Sequence, residues 1–174
     1  VDNTLVLMSS VEKPFLKECC SSTSRAARNG HLDCLVYAHE HSCPWDPNTT
    51  YWAVENGYLD CLVYAHEHGC PWDTETTYGA AKNGYLDCLV YAHEHGCPWD
   101  PNTTYWAAKN GYLDCLRYIY EYCGDDVSWE ESKLETLNTS EISKECQEFI
   151  EQVRDSWKKG MNTTGANLKP AKQK

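Results

Sequence analysis

The sequence predicts an all-α solenoid built from helix-turn-helix repeats, and three observations predict it. The first is self-similarity: Asn29-Gly30, Asn56-Gly57, Asn83-Gly84 and Asn110-Gly111 each stand 27 residues apart. The second is the content of the period, two short stretches with apolar residues at helical spacing, parted by Asn-Gly and closed by Cys-Pro-Trp-Asp. The third is their length. Helices this short cannot bury an apolar face alone, so stacking on neighbours is what builds a continuous core.

The unit reads "TTYWAAKNGYLDCLVYAHEHGCPWDPN", and its copies occupy 22–48, 49–75, 76–102 and 103–129. Its threonine-rich start is expected to cap the free N–H groups of a first helix. Thr104, Ala107 and Ala108 form one stripe of that helix, small enough for a second helix to approach closely. Asn-Gly ends it, since glycine supplies the left-handed residue that helix C-termini favour. In the second helix Leu86, Cys88, Leu89, Val90 and Ala92 make the apolar side, Gly96 stops it, and Pro98 prevents a restart. Trp45, Trp72 and Trp99 each follow a proline and are expected to plug the gap between successive loops. The alternative, exposed contact tryptophans, would leave an apolar patch that few soluble monomers tolerate.

The ends depart from the unit. Residues 1–21 are expected to be an N-terminal cap or flexible segment, with "VEKPFLKECC" supplying part of the cap. The last copy decays into "IYEYCGDDVSWEE", with Tyr120 and Tyr122 in place of both histidines, as befits a repeat with no neighbour beyond it. Over 130–158 a C-terminal capping helix is expected, with Ile142, Cys146, Phe149, Ile150, Val153 and Trp157 on one face. Asn138 and Glu141 suggest a capping box for it, and Leu137 with Ile142 a hydrophobic staple. A partner-binding amphipathic helix is the alternative. Residues 159–174 read as a disordered basic tail.

Composition narrows the function classes. The aromatics are 12 Tyr and 7 Trp against 2 Phe, a choice of rings with a polar tip that suits half-buried positions. No stretch approaches the roughly 20 apolar residues of a membrane span, and the start lacks a secretion signal, so a soluble cytoplasmic protein with no membrane partner is expected. Net charge is −11, although Lys158, Lys159, Lys169, Lys172 and Lys174 meet no acid in their own segment. The rest of the chain is therefore more acidic still, which argues against nucleic acid as a partner. Eleven cysteines, an odd number of which seven recur on the periodic pattern, fit a reducing compartment better than a disulfide framework. The Asn-x-Thr and Asn-x-Ser triplets at Asn48, Asn102, Asn138 and Asn162 then belong to helix starts and turns.

"AHEHGCPWD" looks like a box of metal ligands, but its geometry argues otherwise. His66 and His68 are two apart and point nearly opposite ways on a helix. His66, Cys70 and Asp73 supply three ligands at best, whereas structural zinc takes four. No metal and no other cofactor is expected. Identical Cys, His and Asp sets at repeat spacing also argue against a single tuned nucleophile, so no enzyme is expected.

The unit resembles an ankyrin repeat. Ala107-Ala108 and Gly111-Tyr112-Leu113-Asp114 stand where that family has Ala-Ala and Gly-His-Leu-Glu, and Ala26-Ala27 with Gly30-His31-Leu32-Asp33 matches more closely. His95-Gly96-Cys97 stands where His-Gly-Ala is frequent. The period is 27, not roughly 33, and Thr-Thr-Tyr replaces Thr-Pro-Leu-His. The missing residues fall where the family builds its β-hairpin fingers, so fingers are expected to be reduced or absent. The Cys-Pro-Trp-Asp variety is similar to short ankyrin repeats of giant DNA viruses and some protists.

The resemblance implies a non-enzymatic module that binds another protein on the concave face lined by the first helices, and a monomer. Positions that vary between copies mark that face: Arg25, Trp52, Gly79 and Trp106 at one, Arg28, Glu55, Lys82 and Lys109 at another, with Tyr51, Tyr78 and Tyr105 one turn before the charge. The candidate binding residues are thus Arg25, Arg28, Tyr51, Trp52, Glu55, Tyr78, Lys82, Tyr105, Trp106 and Lys109. Large-small-large alternation at Trp52, Gly79 and Trp106 equally suits interdigitation between repeats. The alternative function is a spacer or scaffold arm whose C-terminal helix docks a partner.

Overall fold

The computed structural model describes residues 22–122 and 142–163, the last seven as backbone alone. The expected N-terminal cap, the decayed loop after Tyr122, the capping box at Asn138 and Glu141, the staple at Leu137, the side chain of Trp157 and the chain after Thr163 lie outside the described residues. Those residues form nine helices and no strand.

The chain divides into two compact units, 1–72 and 73–174. In the first, α1 (Thr23–Arg28) and α2 (Leu32–Glu40) make one helix pair, and α3 (Thr49–Glu55) and α4 (Leu59–Glu67) the next. The pairs stack so that α1 meets α3 and α2 meets α4. The second unit repeats this with α5 (Thr74–Asn83), α6 (Leu86–Glu94), α7 (Thr103–Lys109) and α8 (Leu113–Tyr122), and adds α9 (Lys144–Thr163) against α8.

Each core is the alanine stripe of the first helices meeting the leucines of the second. Ala26, Ala27, Leu35, Ala53, Val54 and Leu62 are fully buried in the first unit, as are Ala80, Ala81, Leu89, Ala107, Ala108, Leu116 and Ile119 in the second. Leu86 and Val90, read as part of the apolar side, are half-buried at its margin.

The threonines do more than start helices. Thr50 and Thr77 are fully buried, and their hydroxyls donate to the carbonyl oxygens of Pro71 (3.3 Å) and Pro98 (3.0 Å). Thr77 Oγ1 also accepts from Asp100 N (3.3 Å), as Thr23 Oγ1 does from Asp46 N (3.0 Å). The expected capping is therefore corrected at these positions: the hydroxyl ties a first helix to the loop at the end of its own copy. Capping falls to other residues, Ser22 accepting from Arg25 N and Asp73 from Glu75 N. Thr104 is equally buried, and its Oγ1 has no partner among the described residues.

The Asn-Gly turn carries a second device. Gly30 adopts φ +68° under the ring of Tyr58, and Gly84 adopts φ +78° under the ring of Tyr112. Each tyrosine is the residue after the corresponding glycine one copy later, so the aromatic of one repeat covers the turn of the previous one. Over Gly111 the same place is taken by Ser143, whose Cβ lies 3.3 Å from where a side chain would begin. Ser143 Oγ accepts from Cys146 N (3.3 Å), which starts α9 there. Ile142, Cys146, Ile150 and Val153 are buried, Phe149 meets Tyr120 edge-on at 5.8 Å, and Arg117 lies over the Phe149 ring at 5.2 Å.

Candidate functional site

The six histidines of the three His-Glu-His stretches resolve into two roles, both made by ordinary helix geometry. His41, His68 and His95, at the C-terminal ends of α2, α4 and α6, place Nδ1 at 2.9, 2.8 and 2.8 Å from the carbonyl oxygens of Tyr37, Tyr64 and Tyr91. A carbonyl oxygen can only accept, so Nδ1 carries the hydrogen and gives a second bond to a carbonyl that already accepts the same histidine's backbone N–H. Each imidazole also stacks on that same tyrosine, with centroids 3.8 to 4.1 Å apart.

The other histidines reach the loop and the next copy. His39 Nδ1 lies 3.1 Å from Tyr64 Oη, and His93 Nδ1 lies 2.8 Å from Tyr118 Oη. His39 stacks on Trp45 at 4.8 Å, and His66 on Trp72 at 3.8 Å. The loop tryptophans, read as core plugs, are thus half-buried lids over histidines, and Trp45 Nε1 donates to His68 O (3.0 Å). Among the described residues, no three His, Cys, Asp or Glu side chains converge as metal ligands.

The thiols are set for packing. All eight described cysteines are free. Burial is the main cause raising Cys70 to about 11 and Cys88, Cys97 and Cys115 to about 12. Cys97 Sγ donates to Asp73 O at 3.2 Å. A thiol held neutral at physiological pH is the opposite of an activated nucleophile.

The residues expected to bind a partner lie on the outer side of the first helices. On α1, Arg25 and Arg28 are exposed, and the Arg28 guanidinium sits 4.4 Å over the ring of Trp52 from α3. Tyr51 meets Trp52 edge-on at 5.3 Å, and Glu55 ends the same helix, half-buried. In the second unit Lys82 Nζ lies 5.6 Å over Tyr78, and Lys109 Nζ lies 5.6 Å over Tyr105 and 4.8 Å over Trp106. Tyr78 and Trp106 meet edge-on at 6.1 Å, joining α5 to α7. Gly79, next to Tyr78 on α5, is buried. The structure therefore assembles Arg28, Tyr51 and Trp52 in one unit, and Tyr78, Lys82, Tyr105, Trp106 and Lys109 in the other. Arg25 and Glu55 stand on the same helices as the first set, α1 and α3.

Basic residues are sorted between the two kinds of helix, although the first helices also carry Glu55 and Glu75. Between Ser22 and Leu116 every basic residue stands on a first helix: Arg25, Arg28, Lys82 and Lys109. The second helices over that stretch carry acids alone, among them Asp33, Glu40, Asp60, Glu67, Asp87 and Glu94. Repetition alone made this visible in the sequence, but the stacking of each cation on an aromatic ring needed coordinates. No helix of the described residues is long and apolar enough to cross a membrane. A scan against protein-family models finds none that matches this chain, and a search of curated proteins finds no match.

Proposed function

We propose that the chain is an ankyrin-type repeat module that binds another protein through the outer side of its first helices, without catalysing a reaction. The observation that carries this reading is the pairing of cations with half-buried Tyr and Trp on that side. Tyr, Trp and Arg supply most interface energy, and here the rings are held by stacked cations before a partner arrives. Buried, neutral thiols and histidines committed to carbonyls, hydroxyls and rings support a packing role for the remaining chemistry-bearing residues. A cytoplasmic setting belongs to the same proposal and rests on the free thiols.

The alternative is a spacer arm whose C-terminal helix docks the partner. Against it stands the burial of Ile142, Cys146, Ile150 and Val153, which commits that part of the helix's apolar face to its own unit. The test is capture from extract on the immobilised full chain, repeated with Trp106→Ala and Arg28→Ala. Loss of a reproducible partner with helicity unchanged is expected. Retention by both variants, with loss on removing 142–163, would favour the spacer.

A further inference from the structure

We infer that the cluster formed by Tyr78, Lys82, Tyr105, Trp106 and Lys109 is a docking site for an acidic, extended peptide segment of a partner protein. The inference rests on the proposed binding role of the first helices and adds the chemistry of what binds. Every polar group that the cluster turns outward can donate. The two ammonium groups have no acceptor capacity, and an indole N–H is a donor alone. Among the described residues, neither the Trp106 indole N–H nor the hydroxyls of Tyr78 and Tyr105 have a hydrogen-bond partner, whereas Trp45 spends its own N–H on His68 O. A site rich in donors and ringed by aromatic surface selects an acceptor-rich ligand with some apolar contact, and carboxylates on a peptide meet that description.

Geometry narrows the class. Lys82 and Lys109 are equivalent residues of adjacent copies, on helices packed against each other. Packed helix axes lie about 8–10 Å apart. A segment in the extended polyproline II form advances about 3.1 Å per residue and turns once in three residues, so carboxylates three residues apart share a face and match that spacing. The expected motif is acid, two spacers, acid. The charge sorting limits its length. Asp87, Glu94 and Asp114 on α6 and α8 belong to an acidic remainder that repels a long polyanion, while a short segment lying along the first helices meets cations. A nucleic acid, with charge along its whole length, is disfavoured on the same ground.

The test uses the full-length chain. Fluorescein-labelled peptides of one length, carrying Glu at every third position, Lys at the same positions, or neither, are titrated by anisotropy beside single-stranded DNA. The Glu peptide is expected to bind and to weaken with salt. Lys109→Glu should weaken it about tenfold or more, and Trp106→Phe, which keeps a ring and removes the N–H, by about three- to tenfold. Circular dichroism of each variant checks folding. In a parallel arm, random peptides are selected on the wild-type chain. Failure of the Glu peptide to bind, equal binding of the Lys peptide, tighter binding of DNA, or indifference to Lys109→Glu would each overturn the acidic-segment inference. If selection returns peptides without acids that are lost on Trp106→Ala, the docking face stands and its acidic preference falls. If selected peptides ignore both substitutions, the docking face itself falls.

Discussion

Replacing Gly84 by alanine separates two costs that a repeat turn imposes. Gly84 holds φ +78°, and alanine in the left-handed region costs about 1 kcal/mol. Its new Cβ would also lie 2.7 Å from Tyr112 Cγ, and nearer still to Cδ1 and Cε1. The ring must therefore leave the turn it covers, and displacing a packed group typically costs about 1–3 kcal/mol more. Gly96 is the internal control, because it holds φ +79° with nothing within 4 Å. For a chain of this size 1 kcal/mol moves the melting temperature by about 2–4 °C. Gly96→Ala should thus lower it by about 2–4 °C, and Gly84→Ala by about 4–15 °C. Thermal melts followed by far-UV circular dichroism read both. In a Tyr112→Ala background the Gly84→Ala cost should shrink towards that of Gly96→Ala. Equal costs at the two glycines, or no coupling to Tyr112, would refute the covering role of the tyrosine.

Other substitutions probe the remaining devices. Thr77→Val removes the donor to Pro98 O and strands Asp100 N, and should cost about 1–3 kcal/mol in denaturant melts. Thr104→Val removes a buried hydroxyl without a partner among the described residues, and should be neutral or stabilising by about 1 kcal/mol in the same assay. Ser42 stands where the later copies have Gly69 and Gly96 and holds φ +62°, so Ser42→Gly should raise stability by about 0.5–1 kcal/mol. Stability should also fall as pH rises. Cys88 and Cys115 are neutral in both states below pH 9.0, and between 9.0 and about 12 the unfolded chain alone releases their protons. A melting temperature measured from pH 8, below the window, to pH 11, within it, should decline less steeply for the doubly alanine-substituted chain.

The helices and their order were legible because period, glycine and alanine stripe all point to the same boundaries. The tethers were less so. Thr77 looks like a capping residue to its neighbours in sequence, and its bond to Pro98 forms only because α5 and the loop after α6 fold back together. Tyr112 reads as an exposed aromatic, and its use lies in a glycine one copy earlier. Of the site, the residue types were readable from variation among copies. The seating of Arg28 on Trp52 and Lys109 on Trp106 was not, since it depends on rotamers of side chains from different helices or successive turns. Ser143 was hidden for another reason. It lies beyond the last repeat, so no period points to it.

Among the described residues, the side-chain bonds that join one segment to the next span 21 to 28 residues. The threonine hydroxyls reach 21 residues, the loop amides return over 23, the cysteine sulfurs over 24 and the histidine–tyrosine pairs over 25. No such contact has to wait for distant parts of the polypeptide to find each other. Loop-closure entropy is therefore the same modest quantity at every copy, and chains dominated by near contacts fold quickly. A whole period added or removed would leave each spacing intact, whereas a single residue inserted within a period would shift every partner across it at once.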